Sequence, residues 1–397
     1  MIPKLNVFTR SPNNFDSFTF KLFLKILDKI PVPSTAFYTH SRLLDSTFHP
    51  FKYLGEDDTR YKEDSHFFFK EKIENNLNTE IISIGIKDHL SGSNYEYTAK
   101  QELVEYLKEL FKKYPNNKFI LFTSLEFLET CLNEPNAYIV RWGGDIVNQL
   151  NEYKNVQPII EKNFDSPYTY VSLNRHPRPH RHLAVALLHA LNLADKGLIS
   201  WLSENRNGFH WQGLLETSNL ASTYYLGLDK FQQNTNLISD SFDIYPQGRS
   251  GNDNAFNFNN KLSNYYKNTF VEIVAETTFK EPTLLLTEKT QNAFMGCNFP
   301  IFISTCGTVA FLREMGLDMY DDIIDHSYDN ITDPIERVYA AIYNNKELLS
   351  NNNNTKKLWK ENVDRIKSNA AFFSQTMYDF YEHRLTTDFD KALRNLK

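Results

Sequence analysis

The sequence predicts an α/β protein of two domains, each built around a largely parallel sheet. Short apolar runs alternate with helical stretches in both halves of the chain, a pattern typical of βαβ units. At 397 residues the chain is longer than one hydrophobic core usually serves. Charged residues make up 23% of it and aromatic residues 14%, which is the composition of a folded chain and not of a disordered one.

In the first half, three short runs rich in β-branched and aromatic residues are predicted strands. They cover residues 80–86, 118–123 and 138–142, and an amphipathic helix is predicted over 97–113. Residues 18–30 are apolar at helical spacing with lysines opposite. A helix packed on the core is the favoured interpretation of this segment, ahead of a helix lying on a membrane.

The second half predicts a new unit, in which strands 168–174 and 198–201 flank a helix at 183–193. A strand over 271–275 ends at Glu276, and a helix and another strand follow. Two further helices are predicted at 333–349 and 358–381. The segments predicted as loops are 226–268 and the asparagine run between these last helices. The predicted domains are residues 1–160, 161–345 and a helical tail, 346–397.

Charge and composition narrow the classes of function. The net charge of −6 argues against a broad nucleic-acid surface, although a local basic patch remains open. No apolar run approaches the ~20 residues that span a bilayer, so no stable membrane insertion is expected. Three cysteines without metal-binding spacing indicate a reduced compartment, and the expected location is cytoplasmic. No metal site is predicted.

Charged residues follow the predicted strand 271–275 and begin the next helix. Glu276 ends the strand, and Glu288 and Lys289 open the helix. Ligands of open α/β sheets bind outside the carboxyl ends of the strands. A lysine at a helix N-terminus suits a phosphate, because unpaired N–H groups and the helix dipole add to its charge. A neighbouring carboxylate can accept hydrogen bonds from a ribose, so the segment predicts a sugar-nucleotide site.

A second basic segment lies in the predicted strand-to-helix turn at residues 174–182. Arg175, Arg178 and Arg181 occur there with three histidines, and Pro179 is expected near the helix start. Guanidinium groups match phosphate oxygens in bidentate geometry, so these arginines are predicted to bind a pyrophosphate. A solvent-exposed basic turn or a nucleic-acid contact are the alternatives.

The ordered motifs Glu-Thr-Thr (276–278), Thr-Glu-Lys (287–289) and Phe-Pro-Ile-Phe-Ile (299–303) resemble the donor-binding signature of GT-B glycosyltransferases. The likeness is to the α1,3-fucosyltransferase type, and the H-x-R-x-x-R spacing at 176–181 is similar to that of other fucosyltransferases. Thr277-Thr278 stands where that family has Asn-Ser, so sugar identity does not transfer. The resemblance implies two Rossmann-like domains facing a cleft, with the helical tail packing back toward the N-terminal domain. It places Glu288 on the donor ribose, Lys289 on the pyrophosphate and Glu276 near the donor sugar.

The resemblance implies a metal-independent, inverting glycosyltransferase that needs no cofactor and takes a GDP- or UDP-sugar as substrate. The first domain would bind the acceptor and the second the donor. An inverting transfer needs a general base, and Glu126, which follows the strand at 118–123, is preferred over Asp88 and Asp145. The acceptor is left open among a glycan, a protein and a modified DNA base. The alternatives are a DNA-modifying glycosyltransferase acting on a hydroxymethylated base and a non-catalytic glycan- or nucleic-acid-binding protein.

Overall fold

The chain forms two compact units in a computed structural model. The first unit comprises Met1–Asn148, Pro282–Leu285 and Asp379–Lys397, and the second comprises Gln149–Glu281 and Leu286–Tyr378. The structure describes residues 5–9, 18–30, 34–40, 80–87, 96–123, 126–141, 156–174, 178–201, 220–233, 258, 262–277, 279, 284 and 286–395.

The first unit contains a five-stranded parallel sheet in the order β1-β2-β3-β4-β5. Its strands are β1 (Leu5–Thr9), β2 (Ser34–His40), β3 (Ile81–Lys87), β4 (Lys118–Thr123) and β5 (Ala137–Arg141). Strand β4 is buried at every position after its first residue, as the apolar run KFILFT requires of a central parallel strand. The helices between the strands are α1 (Phe18–Leu27), α2 (Glu96–Lys113) and α3 (Glu126–Cys131).

Helix α1 packs on the core of the first unit, which confirms the preferred interpretation of residues 18–30. Phe23 is buried, and its ring meets Phe122 of β4 edge to face at 5.2 Å between centroids. The last helix of the chain, α13 (Met377–Asn395), brings Phe389 to 5.8 Å from the same Phe122 ring. Lys25 of α1 also pairs with Glu382 of α13. No helix among the described residues is both long and apolar enough to span a bilayer.

The second unit contains a four-stranded parallel sheet in the order β7-β6-β8-β9. Its strands are β6 (Tyr170–Ser172), β7 (Gly197–Ile199), β8 (Val271–Ala275) and β9 (Phe299–Ile303). Strand β7 pairs with one side of β6, and β8, which comes later in the chain, pairs with the other side. The order therefore reverses between β6 and β8, and the carboxyl ends of these two strands flank the position where open α/β sheets bind ligands. Pro300 is tolerated in β9 because this strand lies at the sheet edge.

Helices cover much of the rest of the second unit. They are α4 (Pro179–Ala190), α5 (Ala221–Gln233), α6 (Ser263–Lys267), α7 (Glu288–Met295), α8 (Thr308–Glu314), α9 (Pro334–Tyr343), α10 (Lys346–Ser350), α11 (Asn352–Glu361) and α12 (Val363–Ala371). The predicted α/β class, with two Rossmann-like parallel sheets and a helical C-terminal tail, is confirmed. The functional division at residues 160 and 345 stays a prediction.

The prediction of a loop across the asparagine run was wrong, because α11 begins within it. The side chain of Asn351 caps the helix by accepting a hydrogen bond from the Asn354 amide at 3.1 Å. Thr355 and Trp359, four residues apart on one face, are buried, and the Trp359 indole donates to the Cys297 carbonyl at 2.7 Å. Tertiary burial of that face outweighs the low helix propensity of asparagine.

Two parts of the segment predicted as a loop over 226–268 are helical instead: residues 226–233 belong to α5, and residues 263–267 form α6. Gly227 lies where α5 crosses α4, and a Cβ atom there would sit 1.8 Å from the Ala186 carbonyl oxygen. Gly227→Ala is therefore expected to lower the free energy of unfolding by about 1–3 kcal/mol, because the two helices must separate. Urea unfolding measures this, with Ser222→Ala on the exposed face of α5 as the control. Equal stability of the two variants would contradict the close approach.

Candidate functional site

Two segments of the second unit, one after β6 and one after β8, carry most of the residues singled out in the sequence. Helix α4 begins at Pro179, as predicted, and Arg178 is its N-cap residue in extended conformation. The Arg178 guanidinium donates from Nη1 to the carbonyl oxygen of Thr277 at 3.1 Å. Arg175 lies outside the described residues. The basic turn after β6 is thus joined directly to the residues that follow β8.

Arg181 reaches the same place from the first turn of α4. It is 2% exposed, and its Nη2 donates to the carbonyl oxygens of Ala275 at 3.2 Å and Glu276 at 3.4 Å. Burial, together with the neighbouring charge of Arg178, lowers the pKa of Arg181 to about 10, while Glu288 and Glu276 act in the opposite direction. Arg181 therefore still carries its positive charge at neutral pH.

Glu276 is fully buried and holds the start of α7. Its Oε1 accepts hydrogen bonds from the Thr287 amide at 3.0 Å and from the Thr290 hydroxyl at 2.5 Å. Its Oε2 accepts from the Thr287 hydroxyl at 2.5 Å and from the Thr277 amide at 3.3 Å. All four contacts are donors within the protein, so the carboxylate positions the Thr-Glu-Lys segment. Contact of Glu276 with a donor sugar stays a prediction.

Glu288 and Lys289 form an ion pair at the N-terminus of α7. The Lys289 ammonium donates to Glu288 Oε1 at 2.7 Å and to the hydroxyl oxygen of Thr287, the N-cap residue, at 2.9 Å. Burial alone would raise the pKa of Glu288, but the charge and hydrogen bonds of Lys289 outweigh it and bring this pKa to about 2. The Glu288 side chain is 31% exposed and ionised, so it can accept hydrogen bonds from a ligand.

His180 completes the group, although no motif in the sequence distinguishes it from its neighbouring histidines. Its Nε2 lies 2.7 Å from the Glu276 carbonyl oxygen, and its ring packs against Phe279 at 4.4 Å between centroids. Burial, then the charge of Arg181, lower the pKa of His180 well below its usual value. The imidazole is therefore neutral at physiological pH.

The structure brings five of the predicted binding residues of the second unit, all except the undescribed Arg175, together at one sheet edge. The cluster, here called the β8 edge cluster, consists of Arg178, His180, Arg181, Glu276, Glu288 and Lys289. The two arginines rest on the backbone that ends β8, and Lys289 is joined to Glu276 through the Thr287 hydroxyl. The sequence analysis did not foresee the supporting role of Thr287, although it belongs to the Thr-Glu-Lys motif, and it did not single out Thr290. Their three-residue spacing at the start of a helix is the signal that places both hydroxyls on one side of it.

Glu126 occupies the position predicted for it in the chain, since it opens α3 directly after β4 in the first unit. Its role as general base stays a prediction. The two other acids considered, Asp88 and Asp145, lie outside the described residues.

Another polar feature of the second unit lies at the start of α8. There the Asp329 carboxylate accepts hydrogen bonds from the amides of Val309 at 3.1 Å and Ala310 at 2.9 Å. An open cavity of about 590 Å³ adjoins it, and its lining includes Asp321, Asp325 and His326. The amides of this helix start are satisfied by the protein, and the lining includes no residue of the β8 edge cluster. We therefore place the candidate site at the cluster and not in this cavity.

Glu272 lies on β8, four residues before Glu276, and is also buried. It accepts a hydrogen bond from the Tyr266 hydroxyl at 3.0 Å. Burial raises the pKa of Glu272 to about 8, the Tyr266 bond opposes this shift, Glu276 adds to it, and Lys289 and Lys162 oppose it. The Glu272 carboxyl is therefore mostly neutral at pH 7, where Glu288 is ionised.

This raised pKa predicts a pH-dependent contribution to stability. Between about pH 4.3, where an unfolded glutamate ionises, and about pH 8, the folded state alone keeps the Glu272 proton. Stability is therefore lost as pH rises through this window. Glu272→Gln should remove the loss, and its stability relative to wild type should rise by about 1.4 kcal/mol per pH unit. Urea unfolding at pH 5, 6.5 and 8 measures this difference, and a constant value would contradict the assignment.

Comparisons with known proteins give weak likenesses only. No family model matches the chain, and no curated protein matches it in sequence. Among solved structures, a glycosyltransferase from Rickettsia africae ESF-5 is 11% identical over 98% of both chains, with a TM-score of 0.38. An E. coli trehalose-6-phosphate structure bound with UDP-2-fluoro glucose is 11% identical over 99% of this chain and 98% of its own, with a TM-score of 0.39.

Proposed function

We propose that the protein is a glycosyltransferase that binds the diphosphate of a nucleotide-sugar donor at the β8 edge cluster. The observation that carries this proposal is the meeting of Arg178, Arg181 and Lys289 at the carboxyl ends of β6 and β8, where the strand order reverses. Two of these cations come from the start of α4 and one from the start of α7. Helix starts add the field of their dipoles to the charges of the side chains.

Different groups of the cluster bind different parts of the nucleotide-sugar donor in this proposal. The guanidinium groups suit the diphosphate, because each offers a planar set of N–H donors. Lys289 can turn from its contacts with Glu288 and Thr287 to a phosphate oxygen, since an ammonium on a flexible stem keeps three donors in many orientations. Glu288 then offers its exposed carboxylate to the hydroxyls of the ribose.

The proposed reaction breaks the bond between the anomeric carbon of the sugar and the diphosphate oxygen. An acceptor hydroxyl oxygen forms the new bond, its proton goes to a base, and the electron pair of the broken bond stays on the leaving diphosphate. Positive groups aimed at charge that develops in the transition state lower the barrier. Three protein cations supply that charge, so the proposed transfer is metal-independent. Glu126 is the proposed base of an inverting reaction.

The proposal is tested by measuring nucleotide binding and donor hydrolysis with the full chain. Thermal shift with GDP, UDP, CMP and TDP should show stabilisation by a nucleoside diphosphate, because a ligand that binds the folded state raises the apparent stability. CMP, with a single phosphate, should stabilise less. Release of nucleoside diphosphate from the matching nucleotide sugar, without acceptor, should be slow but measurable.

The outcomes separate the proposal from its alternatives. Binding without any release of nucleotide, even with acceptors present, would favour a non-catalytic binding protein. Transfer to DNA with hydroxymethylated bases would favour the DNA-modifying activity, against which the net charge of −6 counts. Absence of stabilisation by any nucleoside diphosphate would overturn the proposal.

A further inference from the structure

We propose that His180 takes up one proton when the donor diphosphate binds and then donates a hydrogen bond from Nδ1 to a phosphate oxygen. This inference rests on the proposed function and deepens it. It assigns to the site a proton-coupled step and a further phosphate ligand, neither of which follows from the motifs in the sequence.

The orientation of the imidazole is set by its surroundings. The Glu276 carbonyl oxygen can only accept, so Nε2, at 2.7 Å from it, must carry the hydrogen. The ring is 1% exposed and lies against Phe279, which leaves little room for the imidazole to turn over. In the neutral ring, Nδ1 therefore carries a lone pair and no hydrogen.

The Nδ1 atom is buried and has no hydrogen-bond partner among the described residues. Buried polar atoms in folded proteins are nearly always hydrogen-bonded, so this atom marks an incomplete site. Arg181, Arg178 and Lys289 all lie close enough to act on the ring by their charge. Because an anion binds where cations gather, the missing partner of Nδ1 is expected to be an atom of a bound anion.

Each element packed around His180 contributes to the charge that it experiences. Helix α4 brings Arg178 and Arg181, and α7 brings Lys289 paired with Glu288. Helix α9, which packs on α4, brings the buried Arg337, whose guanidinium donates to the Phe279 carbonyl. At the end of β8, the Glu276 carboxylate is engaged by four donors, and Phe279 is apolar. Burial and the cations Arg181, Arg178 and Lys289 lower the pKa of His180. The imidazole therefore stays neutral as long as no further anion is present.

A bound diphosphate reverses this balance, because it brings about two to three negative charges among the same cations. The imidazolium then has a donor at each nitrogen. The Nε2 hydrogen stays on the Glu276 carbonyl, and the Nδ1 hydrogen, taken from solvent, bonds a phosphate oxygen. When the sugar–oxygen bond breaks, this donor helps to stabilise the charge of the leaving group. Departure of the nucleoside diphosphate returns the proton to solvent.

Isothermal titration calorimetry in two buffers of different ionisation enthalpy measures the protons taken up. Inorganic pyrophosphate and the best nucleoside diphosphate are titrated into wild type and His180→Gln at pH 7. Glutamine can still donate an amide hydrogen to the Glu276 carbonyl but does not titrate. Wild type should take up close to one proton more per bound ligand than the variant. The affinity of wild type should also weaken as the pH rises, by up to about tenfold per pH unit. The affinity of the variant should follow only the titration of the ligand.

His189→Gln is the matched control, because His189 is a second buried histidine of α4 that packs against Phe231 at the other end of the helix. Its proton uptake should equal that of wild type. In ¹⁵N-histidine-labelled wild type, one histidine should gain a proton at Nδ1 on addition of pyrophosphate. This measurement needs no variant and holds if His180→Gln folds poorly.

Equal proton uptake by wild type and His180→Gln, or no new Nδ1 proton in the labelled protein, overturns the inference. Nucleotide binding by wild type does not depend on that outcome, so the proposed function would stand. The converse result is also distinct: uptake that depends on His180 with pyrophosphate, but no binding of any nucleoside diphosphate, supports the inference and overturns the proposed function.

Discussion

Glu276→Gln is expected to lower the free energy of unfolding by about 3 kcal/mol or more, because hydrogen bonds to a charged group contribute about 1.5–3 kcal/mol each. The NH2 group of the amide replaces one carboxylate oxygen. At Oε1 it faces the Thr287 amide and the Thr290 hydroxyl, and at Oε2 it faces the Thr287 hydroxyl and the Thr277 amide. At least one buried donor therefore faces another donor. The loss extends to function, since Thr287 also holds the Lys289 ammonium at 2.9 Å.

Urea unfolding measures the loss of stability, and calorimetry on the folded fraction measures the affinity for a nucleoside diphosphate. Glu272→Gln is the matched control: it changes the other buried glutamate of the same strand face, and the two substitutions are isosteric. The control should match or exceed wild type in stability at pH 8 and keep its affinity. If Glu276→Gln were as stable as the control and bound nucleotide normally, the proposed positioning role of Glu276 would be contradicted.

Lys289→Ala is expected to weaken binding of the nucleoside diphosphate by about 10–100-fold, which corresponds to the 1.5–3 kcal/mol of one charge-assisted hydrogen bond. The fold should tolerate the change. The ion pair lies at a helix start, where the side chains of Lys289 and Glu288 are 13% and 31% exposed, so solvent compensates the lost charge only in part and a moderate loss of stability is expected.

The pH dependence of this variant provides a second test. Without Lys289, the pKa of Glu288 should move up from about 2 toward its ordinary value. The stability that the ion pair contributes is present above about pH 4.3 and lost as pH falls toward 2, so wild type and variant should converge in acid.

Lys196→Ala is the control for lost positive charge, because Lys196 belongs to the same unit but forms its ion pair with Asp195 at the surface. It should bind nucleotide as wild type does. Affinity of Lys289→Ala within twofold of this control would remove Lys289 from the proposed site. A large loss of stability in Lys289→Ala would instead show that the lysine is a structural residue of the α7 start.

Much of the fold follows from local patterns in the sequence. The run KFILFT is a strand with the predicted bounds, since the five apolar or β-prone residues after Lys118, buried on both faces, admit few other structures. The helix after the basic turn starts at Pro179 because proline fixes φ and restricts the residue before it. The asparagine run, by contrast, was predicted as a loop from its low propensity. The run is helical because Trp359, in the same helix, is buried. Its indole bonds the Cys297 carbonyl, which is distant in sequence.

By itself, the sequence determined the α/β class, many of the strands and helices, and the chemical types gathered after two of the strands, while β1 and β2 were not predicted. The predicted features depend on the periods of apolar residues and on prolines, which act within a few residues. Only the tertiary structure decided that Glu276 is a buried anchor while Glu288 is partly exposed, and that His180 leaves one nitrogen without a partner among the described residues. Burial and hydrogen-bond partners arise where β6 and β8 lie side by side, about a hundred residues apart in the chain, and no local pattern contains that distance.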